Sequence, residues 1–233
     1  MITKWKVFNF KSIQKETELN LAPLTIFAGA NSSGKSTVLQ SMLLISQTLS
    51  HKVGSRPIVL NGALTRLGQF DDLKSFESVA DQILIGWECK PQNIDLHGLA
   101  DIPPLTSRFH LNRVSLNRVN CEISFDTDPS SPNRDIFQLH PRLFSCQLSA
   151  SARDEENVDV FSNISLIRSA QVGADAVDKI RSLGIADPEN EIARSSLDFN
   201  VVLDKDSLDD LHEEYLSASA VGCLIRHFLP ARL

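Results

Sequence analysis

Gly29-Ala30-Asn31-Ser32-Ser33-Gly34-Lys35-Ser36, with Thr37 following, meets every fixed position of the pattern G-x-x-x-x-G-K-[ST]. The chemistry suits a polyphosphate, which needs many donors and little steric bulk. Successive loop N–H groups form a concave nest around the β-phosphate, and Cβ atoms at Gly29 and Gly34 would crowd it. A helix starting near Lys35 adds free N–H groups and the positive end of its dipole. In this arrangement Lys35 sets its ammonium between the β- and γ-phosphates, Ser36 offers a hydroxyl oxygen to Mg²⁺, and Thr37 caps the α-phosphate. The bland alternative is an accidental match in a glycine-containing turn, expected in about one chain in a hundred of this size.

The flanks are what the motif requires. Leu24-Thr25-Ile26-Phe27-Ala28 is a short apolar run that predicts a buried strand. From Lys35 onward, Val38, Leu39, Met42, Leu43, Ile45 and Leu49 recur at helical spacing, and His51 and Lys52 near Gly54 signal the helix end. Upstream, residues 5–10 and 16–21 predict a hairpin leading into the loop strand. Downstream, residues 56–62 predict a short strand and turn, and residues 71–76 a short helix with an acidic start.

From residue 82 to about 168 the texture changes. Strand-like pieces at 83–87, 108–114, 119–125, 144–148 and 158–167 alternate with turn clusters such as 101–104 and 128–133. That pattern predicts an antiparallel sheet and not βαβ units. The last third is mixed, with helices expected at 174–183 and 208–220 and a strand at 197–203. The fold class is therefore α/β in the mixed α+β sense, in three parts. These are a phosphate-loop core over 1–80, an antiparallel β lobe over 81–170, and a mixed helical and strand segment over 171–233.

Composition bounds the rest. At 233 residues, 42% hydrophobic and 22% charged, the chain has the length and make-up of a soluble globular protein. No apolar run approaches a membrane span, and the start is not a secretory signal. Cys89, Cys121, Cys146 and Cys223 have neither metal-type spacing nor disulfide-scaffold density, which fits a cytoplasmic protein without membrane partners. The net charge of −6 argues against a surface wholly devoted to nucleic acid. Lys4, Lys6, Lys11 and Lys15 nevertheless cluster, as a solvated face or as a patch for DNA.

Phe8-Asn9-Phe10-Lys11-Ser12-Ile13, Leu21-Ala22-Pro23-Leu24-Thr25-Ile26-Phe27 and the loop together resemble the start of RecF-like and OLD-like ATPases. These are relatives of the structural-maintenance-of-chromosomes proteins, in the ABC ATPase class. Asn31, the Leu- and Gln-rich helix, and Leu67-Gly68-Gln69-Phe70-Asp71-Asp72-Leu73 after Asn61-Gly62 carry the likeness further. The resemblance implies a P-loop NTPase of ABC/RecF type that uses ATP and Mg²⁺. Two protomers would sandwich two nucleotides, with a nuclease or other effector as a further partner and roles in DNA repair or anti-phage defence. It also implies that Gln69 joins Ser36 at the Mg²⁺ ion and that Lys11 approaches the nucleotide. A turn glutamine and a solvated strand lysine are the ordinary readings of those two residues.

The rest of that site is missing from the motif inventory. No Leu-Ser-Gly-Gly type signature occurs, and no run of four apolar residues precedes Asp-Glu. In Val201-Val202-Leu203-Asp204 the catalytic Glu position holds Lys205, and Ile83-Leu84-Ile85-Gly86-Trp87-Glu88 is a weaker match. No catalytic residue is assigned, and the sequence reads as the N-terminal part of a longer protein. Asp95-Leu96-His97-Gly98 resembles a GTPase switch, but no Asn-Lys-x-Asp motif accompanies it. Two alternatives stay open: a small-metabolite kinase with Arg181 or Arg194 as its lid, and a regulatory module that binds nucleotide without turnover.

Overall fold

Alternation builds the sheet. In β1 (Ile2–Phe8) Trp5 and Val7 are buried, while Lys4 and Lys6 face out beside Glu18 and Glu16 of the adjacent segment. The computed structural model describes residues 1–31, 33–52, 56–76, 78–91, 115–127, 141–153, 159–168, 199–203 and 224–232. After β1 come β2 (Thr17–Asn20), helix α1 (Lys35–Leu49), β3 (Ile83–Cys89), β4 (Ser115–Asp126), β5 (Arg142–Arg153), β6 (Asp159–Arg168) and β7 (Phe199–Leu203). The hairpin β8 (Leu224–Arg226) and β9 (Leu229–Arg232) follows. The seven strands β1–β7 form one sheet in the order β2-β1-β3-β4-β5-β6-β7, and every pair is antiparallel.

Register keeps one face apolar. Val7, Ile85, Ile123, Cys146 and Leu166 lie opposite one another across five adjacent strands, and all are buried. The neighbouring outward row places Lys6 against Glu122, at 2.8 Å, with Gly86 between them in the register. Trp5 stacks on Trp87 at 5.8 Å, and Trp87 meets Phe228 edge-on at 5.8 Å. Phe228 belongs to the β8–β9 turn, which His227 fastens to the segment after α1. Its Nδ1 lies 2.9 Å from the Arg56 carbonyl and its Nε2 3.1 Å from that of His51.

Helix α1 lies against this face through Thr37, Val38, Ser41, Leu44, Ile45 and Thr48, a stripe at helical spacing. Trp5 Nε1 donates to Ser41 Oγ at 2.9 Å, which fixes the rotation of the helix over the sheet. Leu39, Leu43 and Leu49, counted with the apolar set in the sequence, are exposed instead. The polar residues of the stripe decide the face, because Ser41, Gln47 and Thr48 make specific bonds that a half-turn rotation would break.

Three local expectations are corrected. Residues 24–28 form no strand, and Leu24 and Ile26 are 78% and 79% exposed. β1 already pairs on both edges, with β2 and β3, so the sheet offers this run no neighbour there. Residues 56–62 are not a strand either. Gln47 Nε2 donates to the Val59 carbonyl at 2.7 Å, and Val59 N–H donates to Thr48 Oγ1 at 3.0 Å, so helix side chains satisfy this backbone. Residues 71–76 form turns and no helix, because Asp72 Oδ2 accepts from Gln69 N–H at 2.8 Å and the chain closes on itself.

The expected strands at 83–87, 119–125, 144–148, 158–167 and 197–203 correspond to β3 to β7, and the hairpin at 5–21 to β1 and β2. The strand at 108–114, the helices at 174–183 and 208–220, and both turn clusters lie outside the described residues.

Candidate nucleotide-binding site

Backbone conformation shapes the loop. Gly34 is the N-cap of α1 with φ 90° and ψ 0°, a left-handed conformation that costs a side chain about 1–2 kcal/mol. A Cβ there would make only ordinary contact with Ser12 Oγ, at 3.4 Å, so conformation and not space calls for glycine. At Gly29, φ is 151°, and a Cβ would stand 3.1 Å from Ser33 Oγ. Both glycines of the motif are thus required locally. No side chain caps α1, and its first turn holds no acidic residue. The free N–H groups and the positive dipole end are left for an anion.

Lys35 folds back over the loop. Its Nζ donates to the Gly29 carbonyl at 2.7 Å and to the Ala30 carbonyl, with Ser33 Oγ at 3.4 Å. The ammonium is thereby held against the loop that its charge would serve. Ser33 N–H bonds the Ala30 carbonyl at 3.3 Å and Val38 N–H the Gly34 carbonyl at 3.1 Å, closing loop into helix. Asn31, Ser33 and Ser36 are exposed, whereas Ser32 lies outside the described residues. Among the described residues the Ser36 hydroxyl has no partner, which suits an oxygen ligand for Mg²⁺.

Thr37 is buried, and its Oγ1 lies 2.8 Å from Ser12 Oγ. Ser12 belongs to the connection between β1 and β2, whose motif the sequence displayed without assigning Ser12 a role. Gln69 is exposed, in the turn closed by Asp72. That turn is tied to the same connection, since Lys11 N–H donates to the Leu73 carbonyl at 2.6 Å and Ser75 N–H to Asn9 Oδ1 at 3.1 Å. The connection at residues 9–13 therefore touches both the phosphate loop and the segment that carries Gln69.

A match to the family model of the AAA ATPase domain covers residues 1–214. The chain belongs to this family. The AAA ATPase domain has a P-loop NTPase fold, and membership suggests an ATP-binding ATPase. No curated protein and no solved structure matches the chain.

Other candidates resolve into structure. Val201, Val202 and Leu203 end β7, at the sheet edge opposite β2, and Asp204 and Lys205 lie outside the described residues. Glu88 of β3 is buried, accepting from Thr3 Oγ1 at 2.6 Å with Arg118 at 3.5 Å. Lys4 pairs with Glu18 at 3.1 Å, and Lys6 with Glu16 at 3.2 Å and Glu122 at 2.8 Å. Burial works against the charge on Lys6, but its bonds to the two carboxylates prevail and raise its pKa. These two lysines are neutralised on the sheet, in keeping with a solvated face. A hydrogen bond with Cys146, reinforced by burial, pushes the Cys121 thiol well up, as befits a core residue and not a nucleophile.

Among the described residues no helix is long and apolar enough to cross a membrane, and no three His, Cys, Asp or Glu residues are grouped to hold a metal ion. Asp95 to Gly98, Arg181, Arg194 and Cys223 lie outside the described residues.

Proposed function

We propose that this AAA ATPase domain binds Mg-ATP at Gly29–Thr37 and works as the N-terminal, nucleotide-binding segment of a RecF/OLD-like ATPase of the ABC class. The supporting observation is the Lys35 ammonium, tethered to the carbonyls of Gly29 and Ala30 beside an uncapped helix start. Loop N–H groups and the first turn of α1 bind the β-phosphate, Lys35 neutralises the β- and γ-oxygens, and Thr37 addresses the α-phosphate. Ser36, with Gln69 from the neighbouring turn, would hold Mg²⁺, which supplies positive charge against the phosphate oxygens when bound.

In this reading residues 1–80 form the nucleotide core, 81–170 the antiparallel lobe and 171–233 a mixed segment, with β1 shared between the first two. ATP closes a homodimer around two nucleotides and hydrolysis releases it, a ligand-driven population shift. The cellular role is cytoplasmic, in DNA repair or anti-phage defence, with DNA or a nuclease-type effector as partner.

Mg-ATP binding by the chain and by Lys35→Ala tests the assignment. Loss of the ammonium should weaken binding at least tenfold, the scale of about 1.5–3 kcal/mol for a hydrogen bond to a charged group. Equal affinities in the two chains would refute it.

A further inference from the structure

The hydroxyls of α1 are not used alike. Ser41 Oγ donates to the Val38 carbonyl at 2.6 Å, and Thr48 Oγ1 donates to the Leu44 carbonyl at 2.8 Å. Both protons return to the helix itself, the usual habit of Ser and Thr inside helices. Thr37 differs. Its hydroxyl, buried at the first turn, meets Ser12 Oγ at 2.8 Å and has no other partner among the described residues.

A hydroxyl has one proton and two lone pairs, so either member of this pair could donate. If Thr37 donated, an anion in the loop would face its lone pairs. If Ser12 donates, Thr37 accepts from it and keeps its own proton for the phosphate. We propose that Ser12 is a positioning residue of the nucleotide site. It donates to Thr37 Oγ1 and so directs the Thr37 proton toward bound phosphate. The inference rests on the nucleotide-binding reading of the loop and deepens it.

A positioning residue must itself be fixed, and Ser12 is. Phe10 and Ile13 exchange both of their main-chain hydrogen bonds, at 2.8 and 2.9 Å, which holds Ser12 in a closed turn. Asn9 and Lys11, neither of them glycine, adopt left-handed φ values of 55° and 52°. Such conformations persist where the surroundings over-determine them. Here they do. Asn9 is fully buried, and its Nδ2 donates to the carbonyls of Ala80 and Gln82 at 2.7 and 2.8 Å while its Oδ1 accepts from Ser75. Ser12 Oγ and Ile13 also close over Gly34, the glycine that starts the helix. One tight turn therefore carries a hydroxyl to the base of the phosphate loop.

The test is a double-mutant cycle on Mg-ATP affinity, with Ser12→Ala, Thr37→Val and the double variant, each also taken through thermal unfolding. Ser12→Ala should weaken binding about three- to tenfold, the effect of one ordinary hydrogen bond, and Ser12→Thr should restore it. In the Thr37→Val background, Ser12→Ala should add little, because the proton it directs is gone.

An unchanged affinity in Ser12→Ala, or an effect undiminished when Thr37 is Val, overturns the inference. So does a change confined to the unfolding midpoint. If Ser12→Ala does not fold, Ser12→Cys, a weak donor, replaces it with the same expectations. Failure of the unsubstituted chain to bind Mg-ATP would remove the nucleotide reading and this inference together. Lys35-dependent binding that ignores Ser12 would remove the inference alone.

Discussion

The central sheet and the phosphate loop lie side by side in this chain and are held by different means. β1, β3, β4, β5 and β6 each have a strand on both sides, and a row of buried apolar side chains crosses all five strands. Of residues 24–28 before the loop, Phe27 alone is half-buried against this core. Ala22 N–H and Thr25 Oγ1 bond at 3.0 Å, while Leu24 and Ile26 are turned outward. The loop itself is shaped by two glycine conformations, the tether of Lys35 and the Ser12–Thr37 pair. Collective burial stabilises the first region and a few directional contacts the second. Damage to the sheet should therefore appear in stability, and damage to the loop in ligand affinity.

The sharpest separation comes from the core. Phe125 is fully buried and meets Phe70 edge-on, with 5.9 Å between ring centroids. Phe125→Ala removes that ring and leaves a cavity, at a cost of about 3–5 kcal/mol. Denaturant unfolding should report a loss of that size, and any remaining folded protein should bind Mg-ATP with unchanged affinity. A tenfold fall in affinity of the folded fraction would show that sheet and loop are coupled more tightly than their contacts suggest.

A smaller effect is expected where the two regions meet. Gln47 sits on the buried side of α1, and its Oε1 accepts from Leu64 N–H at 3.0 Å and Thr65 N–H at 2.9 Å while its Nε2 serves the Val59 carbonyl. Gln47→Leu keeps much of the volume and orphans those groups, so stability should fall by about 1–3 kcal/mol. Urea unfolding measures it. A neutral result would mean that water or a shifted backbone replaces the side chain.

What the sequence disclosed follows the same division. Strand-like runs set off by turn clusters marked β3 to β6, and similar runs marked β7 and the hairpin of β1 and β2, because residues that suit a pleated, half-buried surface gather along a strand. Fixed glycines and Lys35 marked the loop, because backbone conformation and charge leave few substitutes. Contacts between a side chain and a distant backbone left no periodic trace. Nothing in the spacing of Gln47 or Thr48 announced that they would satisfy residues 59–65 and displace a strand. Ser12 was visible only as one letter of a motif, since its partner lies 25 residues along the chain. The run at 24–28 misled for the opposite reason. Apolar residues stand in a row there, but a strand also needs an unpaired neighbour, and sequence does not display one.

That run supplies the mildest substitution and the most direct test of the comparison. If Ile26 were the inward residue of a buried strand, Ile26→Thr would cost much of the about 1.5–3 kcal/mol that burial of such a side chain contributes. In the structure its side chain is exposed, so the change should alter unfolding free energy by no more than about 0.5 kcal/mol. Thr is β-branched like Ile, so backbone preference stays nearly constant and burial alone is compared. A loss above about 1.5 kcal/mol would return Ile26 to a packed environment, and the loop would then draw on the same collective burial as the sheet.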